Sequence, residues 1–562
     1  MDDANGLNGG GIKASDLFVR CLEAEGIDYI FGIPGEENAD LMISLLDSKI
    51  RFILTRHEQA AAFMADVYGR LTGRTGVCLS TLGPGATNLV TGLADANMDR
   101  SPVVAIIGQG STARLHKESH QNMDAIAMMR PISKWAQSVI DAASIPEIVR
   151  KAFKLAATEK PGVCVVELPE DIAKHHVEGV PMNVYKTRRA AADHKAIEQA
   201  VTEIVAAKNP VILAGNGALR KRAVQQLRRL SHKVGIPVFN TFMGKGALKR
   251  EDPHNLFTIG LQSKDYANWA MEKADVVIVV GYDLVEYSPR FWNAHRDKKI
   301  IHIDFLPAEI DMDYTVAVDV VGDIADALWQ INVALERDYD ERLPLNKIAH
   351  WQETRERIIA DHASEKDDTS FPLKPQKVLW DVRAFMEASD VLLSDVGAHK
   401  LWIARYYPCD EPNTCLISNG FCSMGFALPG AIGAKLACPG KRVMAICGDA
   451  GFLMNVQDLE TAVRLKLNIV IMVWIDGDYG LISWKQQNEF GKHFDMRFGN
   501  PDFEKLADAF GCWGKTLTNA AELPAVLAEA HAQQGPAIIG VPIDYRENLK
   551  LTERLGHITM AS

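Results

Sequence analysis

Between Arg442 and Ile475 the chain twice runs apolar and β-branched, and twice stops on an acidic turn flanked by glycine: RVMAIC leads into GDAGF, and NIVIMVWI into DGDYG. Runs of that length and composition read as buried strands. DLETAVRLKL lies between them, and Leu459, Ala462, Val463, Leu465 and Leu467 give it one apolar helical face. Strand, helix, strand is a βαβ unit, whose two strands lie parallel and end at one edge. Asp449 and Asp476, 27 residues apart, are therefore expected at the same rim, where open α/β sheets bind ligands.

The same alternation recurs along the chain. A first block, 12–181, contains YIFGIPG, RFILT, the helical HEQAAAFMADVYGRLTG, then GVCLSTLGPG, PVVAIIGQG and GVCVVELPED. A second, 193–345, contains NPVILAGNGA, IPVFNTFMGKG, ADVVIVVGYD and KIIHIDFLP; its G-N-G at 215–217 is too weak a G-x-G to indicate a dinucleotide. A charged, proline-containing linker is expected over 346–375, and a third block over 376–548 holds the opening motif. Strands alternating with helices predict an α/β protein of three doubly wound parallel-sheet domains, matching the about three cores that 562 residues suggest. Residues 1–11 and 549–562 read as tails.

A net charge of −11 without a Lys/Arg-rich stretch excludes nucleic acid and anionic membrane as expected partners. The apolar runs are about half of what a membrane-spanning helix needs. Nine cysteines without a C-x-x-C, and an amino terminus unlike a secretory signal, place the chain in a reducing, cytoplasmic compartment.

Asp449 and Asp476 offer two carboxylate oxygens at one rim, and the backbone carbonyl of Asp478 offers a third, which is the donor set of a hard divalent cation such as Mg²⁺. Gly448, Ala450 and Gly451 lie where a helix begins, so their N–H groups are placed for an anion. Together these describe a metal-bridged diphosphate. Asp also caps helices and fills turns, so spacing alone reads equally as a cap and an acidic turn.

G-D-(G/A) followed about 25 residues later by N/D-G-x-Y-G, here Gly448–Asp449–Ala450 and Asp476 to Gly480 with Tyr479 between, resembles the cofactor motif of thiamine diphosphate enzymes. TRHEQAAAFMADVYGRLTG, STLGPGATNLVTGLADANMDRSPVVAIIG and ISNGFCSMGFALPGAIGAKLA extend the resemblance to the acetolactate synthase branch from about residue 12 to 548. The resemblance implies a thiamine diphosphate fold with a Rossmann-like middle domain: 12–181 holding the pyrimidine and 376–548 the diphosphate and metal. It implies that Glu58 of TRHEQ hydrogen-bonds the aminopyrimidine, that Gly35 and the backbone of Cys422 and Met424 approach it, and that the Met424 side chain bends the cofactor. His399 is implied at the diphosphate, Gln121 and His120 near the substrate carbonyl, and Leu481, Ile482, Trp484 and Lys485 as pocket walls.

The implied reaction is decarboxylation of pyruvate and ligation to a second 2-oxo acid, giving 2-acetolactate. The middle domain looks like that of the flavin-free, catabolic members, and Asp476 and Gly477 match that branch. Ala450 replaces the usual glycine, and Lys485 stands where relatives carry Trp or Gln. The alternatives are a 2-oxo acid decarboxylase releasing aldehyde and a flavin-dependent pyruvate oxidase. A homodimer with an inter-subunit active site, within a homotetramer, is the implied assembly.

Overall fold

The computed structural model describes residues 11–185, 187–220, 222–261, 265–339 and 350–549. The tails expected over 1–11 and 549–562, save Gly11 and Leu549, thus lie outside the described residues, as do the end of the middle block at 345 and the start of the linker at 346.

One compact unit comprises the chain up to Thr187 together with Pro429–Pro439 and Asn455–Leu465. Its six-stranded sheet is parallel throughout. Counted along the chain, its strands lie in the order 2-1-3-4-6-5, with Tyr29–Gly32, Gly76–Ser80, Val103–Gln109 and Val163–Pro169 in the interior. One apolar cluster, including Leu17, Phe18, Ile30, Val77, Val104, Phe153 and Val166, packs on this sheet. Helix Glu58–Thr72 is buried nearly all round, from Ala60 to Ala65 without exposed surface, as its unbroken AAAFMA run requires.

The second unit holds the other two six-stranded sheets. The middle sheet is parallel and ordered 3-2-1-4-5-6, the dinucleotide-fold order. Its strands divide residue by residue between two cores: Ile212, Ala214, Val276, Ile278 and Val280 face one, and Val211, Leu213, Val277 and Val279 face the other. Period-two partition of an all-apolar run is what a sheet covered on both faces demands. The G-N-G glycines have a packing explanation. Gly217 N–H donates to the Gly281 carbonyl at 2.7 Å, and a Cβ on Gly215 would stand 2.5 Å from that same oxygen.

The third sheet is parallel too, and its order is again 2-1-3-4-6-5, identical to the first. Strands Val443–Gly448 and Val470–Ile475 are neighbours, with Gly448 level with Trp474. The three parallel α/β domains agree with the expected fold class.

Two local expectations need correction. The stretch read as a linker over 346–375 is helical over His350–Ala363, where Trp351 and Ile358 complete the second core of the middle sheet. The helix expected across DLETAVRLKL is broken. The chain forms helix Asp449–Met454 directly after its strand, then a 3₁₀ turn Val456–Asp458 and helix Leu459–Arg464. Lys466 has φ +52°, so Leu465 and Leu467 lie beyond the helix. No helix among the described residues is long and apolar enough to cross a membrane.

Candidate active site

In the second unit, parallel pairing brings Asp449 and Asp476 to one rim. Asp449 is 1% exposed, and its carboxylate is fully engaged. Oδ2 accepts from Asp476 N–H at 3.1 Å, Gly477 N–H at 2.8 Å and Asn500 Nδ2 at 2.7 Å, while Oδ1 accepts from Ala450 N–H at 2.9 Å. The turn that presents these donors needs glycine at 477, where φ is +67°. Gly480 leaves room for a proposed ligand, since a Cβ there would lie 2.6 Å from Asp476 Oδ2. Asp478 turns its carboxylate to Ser483 Oγ, 2.9 Å away, and its backbone bridges to Arg497, which carries Asn500 back over Asp449. Burial, then the charges of Asp449 and Asp478, push the Asp476 carboxyl up to about 8. A divalent cation would reverse that repulsion.

His399 opens the helix after strand Val391–Ser394. Its ring is 2% exposed and lies edge-on to Trp474, centroids 6.2 Å apart. A Cβ on Gly448 would stand 3.3 Å from its Cε1, so glycine there leaves room for the imidazole. Burial pushes the imidazole down to about 4, and Nε2 is buried with no hydrogen-bond partner. Asp395 lies behind Gly451, whose Cβ position is 3.3 Å from its carboxyl group. Asp395 Oδ1 accepts from Val396 N–H at 2.7 Å and Gly425 N–H at 2.9 Å. This ties the GDAG turn to the loop bearing Cys422 and Met424. Cys422 is exposed at φ +54°, with Lys400 Nζ 3.2 Å from its sulfur, and Met424 is half-buried.

The residues expected to wall the pocket do not share one face of helix Gly480–Phe490. Trp484 is 5% exposed and belongs to the domain core, against which Leu481 also packs. Tyr479 and Ile482 are exposed, and Lys485 pairs with Glu489 at 3.8 Å. The reason is spacing: positions 481 and 484 turn inward, so 482 turns out.

In the first unit, the turn Thr81 to Gly85 gathers the expected residues. Glu58 is 7% exposed at the start of its helix; Oε2 accepts from Asn88 Nδ2 at 2.9 Å, and a Cβ on Gly85 would stand 3.4 Å from Oε1. Gly35 packs so closely on Thr81 that a Cβ would come 2.4 Å from its hydroxyl. Gly83 abuts Gln121, which is exposed at φ +55°, and His120 is exposed beside it. Asp458 fixes the chain just before Glu58, its Oδ1 accepting from Arg56 N–H at 3.0 Å.

Asn88, Asp395, Asp458 and Asn500 are absent from the sequence reading. Asp395 had a signal, because LLSDVG ends an apolar run on Asp near Gly as CGDAG does. Asn88 had a weaker one, an asparagine inside a helix that disfavours it. Asn500 and Asp458 had none.

Residues 12–128 match the N-terminal TPP binding domain of thiamine pyrophosphate enzymes, 197–331 the central domain and 395–541 the C-terminal TPP binding domain. The chain is 37% identical to the acetolactate synthase of Bacillus subtilis (strain 168) over 96% of its own length and 94% of that protein's. The chain belongs to the thiamine pyrophosphate enzyme family. Other relatives of this thiamine pyrophosphate enzyme are the catabolic acetolactate synthase of Raoultella terrigena, 36% identical over 96% of the chain and 97% of the relative. The large subunit of acetolactate synthase isozyme 3 of Escherichia coli (strain K12) is 34% identical over 93% and 92%.

The residues of this thiamine pyrophosphate enzyme fit its cofactor on three observations. His399 Nε2 is a buried polar atom without a partner. Glycine at 448 keeps the turn beside that ring clear. The crowded carboxylates of Asp449, Asp476 and Asp478 suit a cation.

Proposed function

We propose that this enzyme decarboxylates pyruvate and ligates it to a second 2-oxo acid, giving 2-acetolactate, with Mg²⁺ and no flavin. The cofactor reading is carried by the Asp449–Asp476 rim beside the orphaned His399 Nε2. The choice of reaction is carried by similarity to acetolactate synthases along nearly the whole chain.

Thiamine diphosphate, when bound, supplies a carbon acid that adds to a 2-oxo group and accepts the electron pair left by CO₂. Glu58 would hydrogen-bond the aminopyrimidine, and Asn88 keeps that carboxyl group oriented. Asp449, Asp476 and the Asp478 carbonyl would hold the metal. The N–H groups of Gly448 and Gly451, with His399, would meet the diphosphate, and Ala450 N–H, which donates to Asp449 Oδ1, would be shared with it. Gly35 and the backbone of Cys422 and Met424 would bound the pyrimidine, and the Met424 side chain would be the apolar wedge against the cofactor. Gln121 and His120 orient the substrate carbonyl, while Leu481 and Ile482 bound the substrate and Trp484 supports their helix from the core. Lys485 pairs with the acceptor carboxylate in place of Glu489. The domain roles are pyrimidine binding for 12–181, a Rossmann-like centre for 193–345 and diphosphate and metal binding for 376–548. The active assembly is a homodimer, within a homotetramer, whose sites are shared between subunits.

The test is a product assay with pyruvate, thiamine diphosphate and Mg²⁺, beside an absorbance scan of the purified protein. Acetolactate without a flavin band is the expected result. Free acetaldehyde would make the enzyme a decarboxylase, and a flavin band with oxygen uptake would make it an oxidase.

A further inference from the structure

We propose a second metal site, for a borderline divalent ion such as Zn²⁺, on the middle domain at His232, Asp252 and His254. Each offers one donor atom, and the three donors lie within 4.8 Å of one another. His232 sits in the last turn of helix Ala223–Val234, whose carboxyl end carries the partial negative charge that favours a cation. Asp252 and His254 belong to the turn before strand Asn255–Thr258. Asp252 Oδ1 accepts from His254 N–H at 2.9 Å, which folds the two side chains toward the helix.

The spacing suits the ion. A tetrahedral site with bonds of about 2.0–2.1 Å sets its ligand atoms about 3.3 Å apart. Here His232 Nε2 is 2.5 Å from Asp252 Oδ2, and His254 Nδ1 is 3.5 Å from Asp252 Oδ1. The two contacts run to different oxygens of Asp252, and with the three donors within 4.8 Å of one another the side chains must draw together to close a tetrahedral site on one carboxylate oxygen.

A second observation separates this cluster from an ordinary ion pair. His254 Nδ1 is buried yet has no hydrogen-bond partner, although it faces the carboxylate. The His232–Asp252 contact leaves that nitrogen only the 3.5 Å approach of Asp252 Oδ1. A cation between the three donors would use it. The His254 ring is held by its neighbours, 5.7 Å from the buried Trp351 indole and 5.5 Å from the His232 ring, centroid to centroid.

The nearby cation does not occupy the place of the metal. Arg355 spends Nε on the Asp252 backbone carbonyl at 3.1 Å and Nη2 on the Arg250 carbonyl at 3.0 Å, so it bonds the backbone of the turn. His232, whose side chain is 53% exposed, leaves the fourth position to water. Two imidazoles and one carboxylate form a donor set for zinc-like ions, while Mg²⁺ prefers oxygen. With water added, the ion would join the end of a helix to the turn that follows it in space. It stands apart from the Asp449–Asp476 rim and does not depend on the proposed reaction.

The test is equilibrium dialysis of the purified full chain against Zn²⁺ with saturating Mg²⁺, comparing wild type with His232→Ala and His254→Ala. One zinc per chain, lost in both variants, is expected, with a zinc-dependent rise in melting temperature in wild type only. His232→Ala is a solvent-side change that the fold tolerates, and acetolactate-forming activity should be unchanged by it. Co²⁺ titration gives an independent readout: visible bands of nitrogen-ligated, four-coordinate cobalt in wild type, absent in His232→Ala. Zinc binding equal in wild type and His232→Ala, or no zinc retained by wild type, would overturn the site and leave the cluster an ion pair.

Discussion

Glu58 and Asp458 are both buried carboxyl groups, and their partners give them opposite tasks. Glu58 receives one side-chain donor, Asn88, and keeps Oε1 beside a glycine. An acid held but not saturated is suited to sharing a proton with a ligand. Glu58→Gln should lower turnover by about 10²–10⁴-fold with the circular-dichroism spectrum unchanged. Asn88→Ala should cost about tenfold in turnover, the kinetic equivalent of about 1.4 kcal/mol from one lost hydrogen bond. Asp458, by contrast, is saturated on one oxygen by Arg56 N–H and Thr461 Oγ1 and orphaned on the other, and burial pushes it up to about 6. Its folded value exceeds the unfolded one, so its contribution to stability is complete below about 3.8 and is lost as pH rises to about 6. Melting temperature measured from pH 3.5 to 7 should show that decline, and Asp458→Asn, which keeps the acceptor oxygen, should flatten it. An unchanged slope in the variant would mean that Asp458 titrates normally.

At the scale of elements, the turns at strand ends are where the chemistry sits, and their glycines are the most demanding positions. Gly480→Ala puts a methyl group 2.6 Å from Asp476 Oδ2, so the carboxylate of a proposed metal ligand must turn aside. The Mg²⁺ concentration for half-maximal activity should rise by about ten- to a hundredfold, since misplacement of about 1 Å carries that cost. A wild-type Mg²⁺ dependence would show that Asp476 swings clear without loss. Such turns were legible because interior strands announce them. RVMAIC, NIVIMVWI and ADVVIVVGYD are buried on both faces and so are apolar without interruption. Three of the edge strands carry no such run: Trp135–Ser138 and Trp513–Thr516 are half-buried along their length, and Val316–Val321 alternates with solvent. Helix Leu459–Arg464 was overdrawn because Leu465 and Leu467 continue the apolar pattern after the backbone has left the helix at Lys466.

At the scale of the molecule, the common 2-1-3-4-6-5 order of the first and third sheets was hidden from the sequence, because strand order depends on crossovers that leave no local pattern. Long-range polar links were hidden for the same reason. Within the second unit, Asp265 caps helix Tyr266–Glu272 of the middle domain and pairs with Arg405, at the end of the helix that His399 begins. Both side chains are almost wholly buried, at 0% and 3% exposure. His362 Nε2–H donates to the Arg405 carbonyl at 2.6 Å, and Lys245 Nζ donates to the Ala404 carbonyl at 2.8 Å, so three elements converge on one helix end. Removing Asp265 takes from a buried guanidinium the carboxylate that bonds it directly, which costs about 3–5 kcal/mol, whereas removing both charges spares most of that cost. Asp265→Ala should therefore lower the denaturation midpoint markedly, and Asp265→Ala with Arg405→Met should recover much of it. Because the same helix presents His399, the single variant should also bind thiamine diphosphate more weakly, measured by calorimetry below its melting temperature. Normal binding beside lost stability would separate the two ends of that helix and confine the pair to holding the middle and third domains together.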